Sequence, residues 1–501
     1  MLDDDVNDVT QVDDRASAKR LPELQSARYW LGLAVGVLVL AGLFSLIVVI
    51  GRMPPFDRWV TDPLFFKRGL VVHVNLALVA WFYSFVAAML FLLPGERPPG
   101  WIAQHSPHIS AVGVAMLLLA AGLPESQPVL SNYVPMIDHW LFGTGQVLFA
   151  VGVIASFFGR RLLPTDNPRP GFFDLPGAAR IGLRATAVCL LLAALTFSIS
   201  WWQTNTELAT EVYYELLMWG GGHVLQLACS VAMVTVWVIL LHSAFGKSPV
   251  SRNGAAFLFA AMMMPWFFSP LLALEGTSSG AYRTGFTDLM RWSIFPVVSI
   301  FLYFCLRELV RERRQGNLQL ASLSDPRIAG FLVSAALTVL GFALGAAIRG
   351  SNTMVPAHYH ASIGGVTAAF MTVSYLVLGA FGLAPTTPKL KRTATWQPVV
   401  YGVGQMVFAA GFALAGAYGM SRKAYGAEQA TRGLGESIGL GVMGMGGFIA
   451  IAGGVLFLIV VAVIWQRGAD GDPQNVNDVN KATRRFRWAK MIRTANIRSR
   501  S

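Results

Sequence analysis

Two histidines stand two residues apart in Ala357-His358-Tyr359-His360, near the start of a long apolar stretch. On an α-helix, positions i and i+2 lie about 200° apart around the axis, so the two imidazoles leave opposite sides of one helix. Such a helix can offer a ligand to a metal centre on each side. The alternative is a pair of polar side chains satisfied by neighbouring helices. Six more histidines complete the set: His73, His105, His108, His139, His223 and His242. What they can do together depends on the elements that carry them.

Those elements are membrane helices. The chain has 501 residues, of which 54% are hydrophobic and 13% charged, against about 25% charged in a typical soluble domain. Its apolar runs repeatedly reach about 20 residues, enough to cross a hydrocarbon core of about 30 Å. About twelve membrane segments are read, at roughly 29–51, 69–93, 107–123, 136–158, 178–201, 211–243, 254–274, 287–307, 328–349, 355–383, 397–419 and 435–466. The expected fold is therefore all-α and polytopic. It has a polar, disordered N-terminal tail over 1–27, a transmembrane domain over 29–466 and a basic tail over 467–501. No removable signal peptide, inserted soluble domain or internal repeat is read. Cys189, Cys229 and Cys305 each fall in an apolar run without metal-ligand spacing, and read as buried single thiols.

Charge orients the segments. One set of connections carries Arg160 and Arg161, then Lys247 and Arg252, then Arg307, Arg311, Arg313 and Arg314, then Lys389, Lys391 and Arg392. The C-terminal tail adds Lys481, Arg484, Arg485, Arg487, Lys490 and Arg493, whereas the alternate connections hold Glu125, Glu207, Glu211 and Glu215. Basic loops stay on the cytoplasmic side, so both termini are expected there, in a pattern that suits a bacterial inner membrane. The net charge of +12 is then a matter of loops and lipid, and no nucleic-acid partner is expected.

With that orientation, segments two, six and ten all begin at the outer face. His73, His358 and His360 lie a few residues into their segments, and His223 about a dozen into a longer one. Ionisable side chains inside a membrane are costly and mark functional sites, so four histidines on three helices are expected to meet in the outer half of the bilayer. His105 and His108 read as interfacial residues in a short connection, and His242 as one at the inner end of segment six. His139, beside Asp138, reads as an interfacial pair or as a contact to a cofactor carboxylate. Structural zinc would want cysteine or carboxylate co-ligands, and none are placed for it. Haem fits better, because imidazole is a common axial ligand and the macrocycle fills apolar space. His73 and His360 would hold a six-coordinate, low-spin haem across two helices. His358 would hold a second haem from one side, and His223 could lie over its open face.

These features resemble subunit I of the haem-copper oxidase superfamily, which includes the cytochrome c oxidases and the nitric oxide reductases. The likeness runs over roughly 29–466, and the His-x-His of segment ten is its most specific element. Arg283-Thr284-Gly285-Phe286-Thr287 leads into segment eight as a comparable Arg-x-x-Phe-Thr does in the oxidases. Gly419-Met420-Ser421-Arg422-Lys423 is similar to the Gly-Met-Pro-Arg-Arg turn whose arginines contact haem propionates. The resemblance implies a haem-copper oxidase-like bundle with His73 and His360 on the low-spin haem iron and His358 on the high-spin haem iron. It implies Arg422 and Lys423 at the propionates and His223 at the segment-six position of the distal metal. Lys423 neutralises a carboxylate but cannot grip it as a bidentate fork.

The chain departs from the family around that distal metal. The paired histidines of segment seven are missing: the corresponding place falls near Leu271-Leu272, with Phe267 and Phe268 as neighbouring candidates. The redox tyrosine or iron-binding glutamate four residues after the segment-six histidine is Leu227, and the proton-carrying glutamate two residues after it is Leu225. One imidazole does not hold copper or non-haem iron usefully, so the distal site reads as degenerate, with Leu227, Leu271 and Leu272 making it apolar. Glu275 and Tyr282, near the outer end of segment seven, are the substitutes considered.

The resemblance implies a respiratory membrane oxidoreductase that passes electrons from a low-spin to a high-spin haem, which binds O2 or NO. The residues also suit a dihaem electron-transfer, gas-binding or NO-transforming protein without distal copper. No CxxCH is present, so any haem is non-covalent. No copper or cytochrome domain is read either, which leaves a partner subunit, a cytochrome c or a quinol as electron donor.

Overall fold

A computed structural model describes residues 21–59, 63–93, 99–158, 162, 173–318, 324–383, 387–423 and 433–469. Twelve helices in it are long and apolar enough to cross a membrane. In order these segments are Pro22–Ile50, Leu64–Phe91, Trp101–Gly122, Trp140–Phe157, Gly177–Gln203, Thr210–Phe245, Arg252–Leu274, Gly280–Arg314, Pro326–Ala346, Met354–Ala380, Pro388–Ala417 and Leu434–Gln466. The protein is an all-α polytopic bundle, as its hydropathy pattern predicts. Arg160, Arg161 and the basic residues from Lys481 onward lie outside the described residues, as does most of each expected tail. Residues 21–27, read as tail, form the start of segment one, and the last helix runs to Ala469.

Helix ends follow local chemistry. Ser251 accepts from the amide of Gly254 to open segment seven, and Asp325 accepts from that of Arg327 before Pro326 opens segment nine, as oxygen-bearing N-caps do. Gly246 closes segment six at φ 72°, a left-handed position that favours glycine. Four boundaries correct the sequence reading. Segment three begins at Trp101, so His105 and His108 lie on a helix and not in a connection. Pro107 cannot donate to the carbonyl of Ala103, and the hydroxyl of Ser106 donates to it instead at 2.7 Å. Segment four begins at Trp140 because Met136–Asp138 is a strand, β2, paired antiparallel with β1, Gln127–Val129. Segment eight continues to Arg314 and segment eleven starts at Pro388, so the basic residues there ride on helix ends that extend past the apolar core.

Odd-to-even connections share one face of the bundle. Arg52 donates to the carbonyl of Arg422 at 3.0 Å, Asn352 bridges to Ser421, and Arg68 donates to the carbonyls of Pro124 and Ser126. Contacts on the opposite face join the other ends: Arg28 to the carbonyl of Phe381, His242 to Asp174 at 3.5 Å, and Lys247 to Glu312 at 3.8 Å. The start of the first described helix and the end of the last therefore lie on the same side. The cysteines differ slightly from expectation. Cys189 and Cys305 are buried, but Cys229 is half-buried, with the hydroxyl of Tyr83 3.2 Å from its sulfur.

Segments eleven and twelve touch backbone to backbone. A Cβ on Gly411 would strike the amide of Met443 and lie 2.6 Å from the carbonyl oxygen of Gly439. Small residues at such crossings are how membrane helices gain van der Waals contact where lipid supplies no hydrophobic drive. Gly411→Leu should cost about 1–3 kcal/mol, the usual cost of overpacking. It should lower the temperature at which the detergent-solubilised protein loses its monodisperse peak, and an unchanged profile would refute the close crossing.

Candidate functional site

Segment ten presents His358 and His360 on different sides, as the i, i+2 spacing requires. His358 faces segment nine: its Nδ1 lies 2.7 Å from the carbonyl oxygen of Gly341. A Cβ on Gly345, one turn further along segment nine, would lie 2.8 Å from the His358 ring. His360 faces segment eleven, with ring centroids 4.6 Å from Phe408 and 5.8 Å from Phe412. It is within electrostatic reach of His73 and Arg52. The two aromatic rings fix its plane without taking a nitrogen, and among the described residues neither nitrogen makes a hydrogen bond.

His73, on segment two, places Nδ1 2.9 Å from the carbonyl oxygen of Ala41 on segment one. A carbonyl only accepts, so in a neutral imidazole the proton sits on Nδ1 and the lone pair on Nε2. The same holds for His358 against Gly341. In both, Nε2 has no hydrogen-bond partner among the described residues and keeps its lone pair. Metal-bound histidines are commonly oriented by such a contact at the other nitrogen.

His73 is followed by a π turn, Asn75–Ala80, which the sequence reading missed. Such insertions cluster at functional sites. Asn75 is buried and braces this one. Its amide donates to the carbonyls of Val71 at 2.9 Å and Pro135 at 2.7 Å, and its carbonyl accepts from Gln146 at 2.9 Å. Segment two is thereby tied to segment four and to the connection before it.

That connection, with its β1–β2 hairpin, folds inward across the starting ends of segments two and six. Ser131, Val134, Met136 and Ile137 are buried in it. Glu215 on segment six accepts from both the backbone and side-chain amides of Asn132. The next residue, Tyr133, adopts φ 67°, uncommon for a bulky side chain, and reaches His223. Its hydroxyl lies 2.8 Å from Nε2 of His223, whose Nδ1 is 2.7 Å from the carbonyl oxygen of Trp219. The rings of Tyr133 and His223 are 4.3 Å apart by centroid. Burial and the neighbouring Glu215 carboxylate push the Tyr133 phenol above its ordinary pKa, and Arg422 pulls weakly the other way. The group therefore stays protonated at neutral pH.

The structure thus brings His73 and His360 within reach of one another and sets His358 on the opposite side of segment ten. It places His223 in a separate hydrogen-bonded pair. Arg422 and Lys423 lie at the end of the bundle that also carries Arg52 and Glu215. Arg52, itself buried, stacks 5.3 Å from the Phe412 ring, so the rim of that end carries three cations near the histidines. Lys423 is 3.8 Å from Glu215, across a cleft of about 270 Å³ that Trp219 and Arg283 also line. Tyr133, Arg52 and Asn75 were missed in the sequence. Tyr133 and Arg52 sit in connections, and nothing about the apolar period of segment two marks Asn75.

The residues considered around the distal position are corrected by the geometry. Leu271 is 56% exposed, and Phe267 and Phe268 are 50% and 62% exposed, so all three face outward. Leu272 packs on Gly285, while Leu227 is fully buried. Glu275 is exposed at a helix end. The hydroxyl of Tyr282 bridges the amide of Gly220, the carbonyl of Leu216 and Ser200, which makes it a brace for segment six. Among the described residues, no three His, Cys, Asp or Glu side chains come together as a metal site. His139 caps segment four through Nδ1 and lies 3.8 Å from Glu125, whereas Asp138 accepts from Tyr214.

Comparison with known proteins agrees with this arrangement at the level of fold. No family model matches the chain. An uncharacterized protein of Rickettsia prowazekii (strain Madrid E) is 25% identical, covering 87% of this chain and 94% of its own length. An uncharacterized protein of Aquifex aeolicus (strain VF5) is 24% identical, covering 74% and 89%. Among solved structures, the chain is similar to a haem-copper terminal oxidase determined by cryo-EM as a dimer. The TM-score is 0.67 at 15% identity, covering 89% of this chain and 84% of that one. The fold is a haem-copper oxidase-like bundle.

Proposed function

We propose that this chain is the haem-carrying subunit of a membrane oxidoreductase of the haem-copper oxidase type, resembling subunit I. His73 and His360 hold a low-spin haem, and His358 holds a high-spin haem that meets a neutral diatomic gas, O2 or NO. The observation that carries this reading is the pair of backbone contacts at His73 and His358. Each locks Nδ1 on a carbonyl and leaves Nε2 as the ligand. Haem held by His73 and His360 would supply one-electron transfer, and haem held by His358 would supply gas binding.

The protein's own share is orientation and charge. The carbonyls of Ala41 and Gly341 set the imidazole tautomers, and Phe408 and Phe412 hold the plane of His360. Arg52, Arg422 and Lys423 provide cations at the rim for haem carboxylates. The electron donor is a partner subunit, a cytochrome c or a quinol. The setting is a bacterial inner membrane with both termini cytoplasmic, which the basic inner loops and the bacterial relatives support.

A second reading is a dihaem electron-transfer, gas-binding or NO-transforming protein without distal copper. The contact between Tyr133 and His223 favours it over full oxidase turnover, because it engages the nitrogen a distal metal would need.

Purification with haem counting by pyridine haemochrome, metal analysis and reduced-minus-oxidised spectra with and without CO tests both readings. Two haems per chain are expected, one of them binding CO. A single six-coordinate haem would remove His358 from its role, and a haem-free protein would sink both readings.

A further inference from the structure

Resting on the dihaem reading, we propose that Tyr133 is a residue of the gas-binding site and that its pair with His223 stands where a distal metal would otherwise sit. The phenol closes the only nitrogen through which His223 could bind copper or iron. The site beyond His358 is then a metal-free, protein-lined pocket for a neutral diatomic ligand.

The argument starts at His223. It is fully buried, and its Nδ1 faces the carbonyl of Trp219, so the ligating lone pair is on Nε2. That lone pair receives the Tyr133 hydroxyl at 2.8 Å. A metal would have to displace Tyr133, and three features hold the tyrosine in place. Glu215 fastens the preceding Asn132 through two hydrogen bonds. Gly222 has no side chain, and a Cβ there would strike the Cβ of Tyr133. The Tyr133 ring also packs edge-on against Trp219, with centroids 5.7 Å apart. Nor are co-ligands at hand, since the candidates of segment seven face outward or are apolar. A lone imidazole has little affinity for copper or non-haem iron even when free.

Segment six, which carries His223, packs against segments nine and ten, the two helices that hold and orient His358. A buried hydroxyl near a bound diatomic alters its bond polarity, because an oriented dipole acts strongly where water is excluded.

The test is the infrared C–O stretch of the CO adduct in reduced wild type and in Tyr133→Phe, combined with metal analysis after a chelator wash. Tyr133→Phe keeps the ring that packs on Gly222 and removes only the hydroxyl. The band is expected to shift in Tyr133→Phe, and any H2O-to-D2O difference seen in wild type should vanish. Washed wild type incubated anaerobically with cuprous ion should retain less than a tenth of an equivalent. An unmoved band in Tyr133→Phe would overturn the proposal, as would one copper or non-haem iron per washed wild-type chain. If Tyr133→Phe does not fold, Glu215→Gln, which keeps the shape but weakens the anchor on Asn132, should shift or broaden the same band. A sharp, unmoved band there overturns it equally. Haem count is read in the same samples, so loss of the haems, which would sink the dihaem reading, is distinguishable from failure of the Tyr133 assignment.

Discussion

Replacing either His73 or His360 with alanine is expected to halve the haem content and leave the CO-binding haem in place. The two imidazoles come from segments two and ten and are within electrostatic reach of each other. Under the proposed function they serve one iron, so losing one leaves the other with half a site. His360 has no hydrogen bond of its own among the described residues, and ring contacts with Tyr359, Phe408 and Phe412 are what hold it. It should therefore lose orientation once its partner is gone. Pyridine haemochrome should fall from two haems toward one per chain, and the six-coordinate component should leave the reduced-minus-oxidised spectrum. CO binding per remaining haem should rise toward unity. Retention of both haems in His73→Ala would mean that His73 is a buried polar residue satisfied by Ala41 and nothing more.

His358→Gly should show the complementary pattern, with the low-spin spectrum kept and CO binding lost. Added imidazole should restore it by filling the place of the missing ring, which no purely structural role for His358 would allow. Gly345→Val probes the same contact from the opposite helix. Its Cβ would lie 2.8 Å from Cε1 and Nδ1 of His358, too close for real atoms. The ring must turn and give up the carbonyl of Gly341, which frees Nδ1 and mis-aims Nε2. CO-binding haem is expected to fall at least tenfold in Gly345→Val, while Val339→Ala, at an exposed position of the same segment, should be silent. Equal CO binding in Gly345→Val and wild type would show that His358 does not aim at iron through this geometry.

Much of this was legible in the chain because lipid imposes a strong constraint. Backbone groups inside a bilayer must be satisfied within a helix, so long apolar runs translate directly into spans. Histidines inside those runs stand out for the same reason, and the phase of His358 against His360 follows from helix geometry alone. Connections obey no such rule. Tyr133 sits among Ser131, Asn132 and Val134 with no period to mark it, and its inward turn depends on Glu215, 82 residues further along. Arg52 follows the end of segment one and looks like an interfacial cation, yet it is buried beside Phe412 and the turn at Arg422. Leu271 falls in the distal position only by its spacing from Arg283, and spacing fixes no direction: the helix breaks between Leu274 and Gly280, and Leu271 faces outward.

The π turn after His73 bears on how this chain should be lined up with others. An α-helix advances about 100° per residue, and a π turn takes up one residue more than an α turn would over the same stretch. Counting back from Trp81 at the α rate therefore misjudges the direction of His73 by up to about a quarter turn. A distant relative whose second helix is plain α should need a one-residue gap between Asn75 and Trp81 before its histidine and this one share a column. Ungapped comparison would set His73 beside a neighbour of the true ligand, which is one way a twelve-helix likeness at 15% identity can be clear in three dimensions and faint in one.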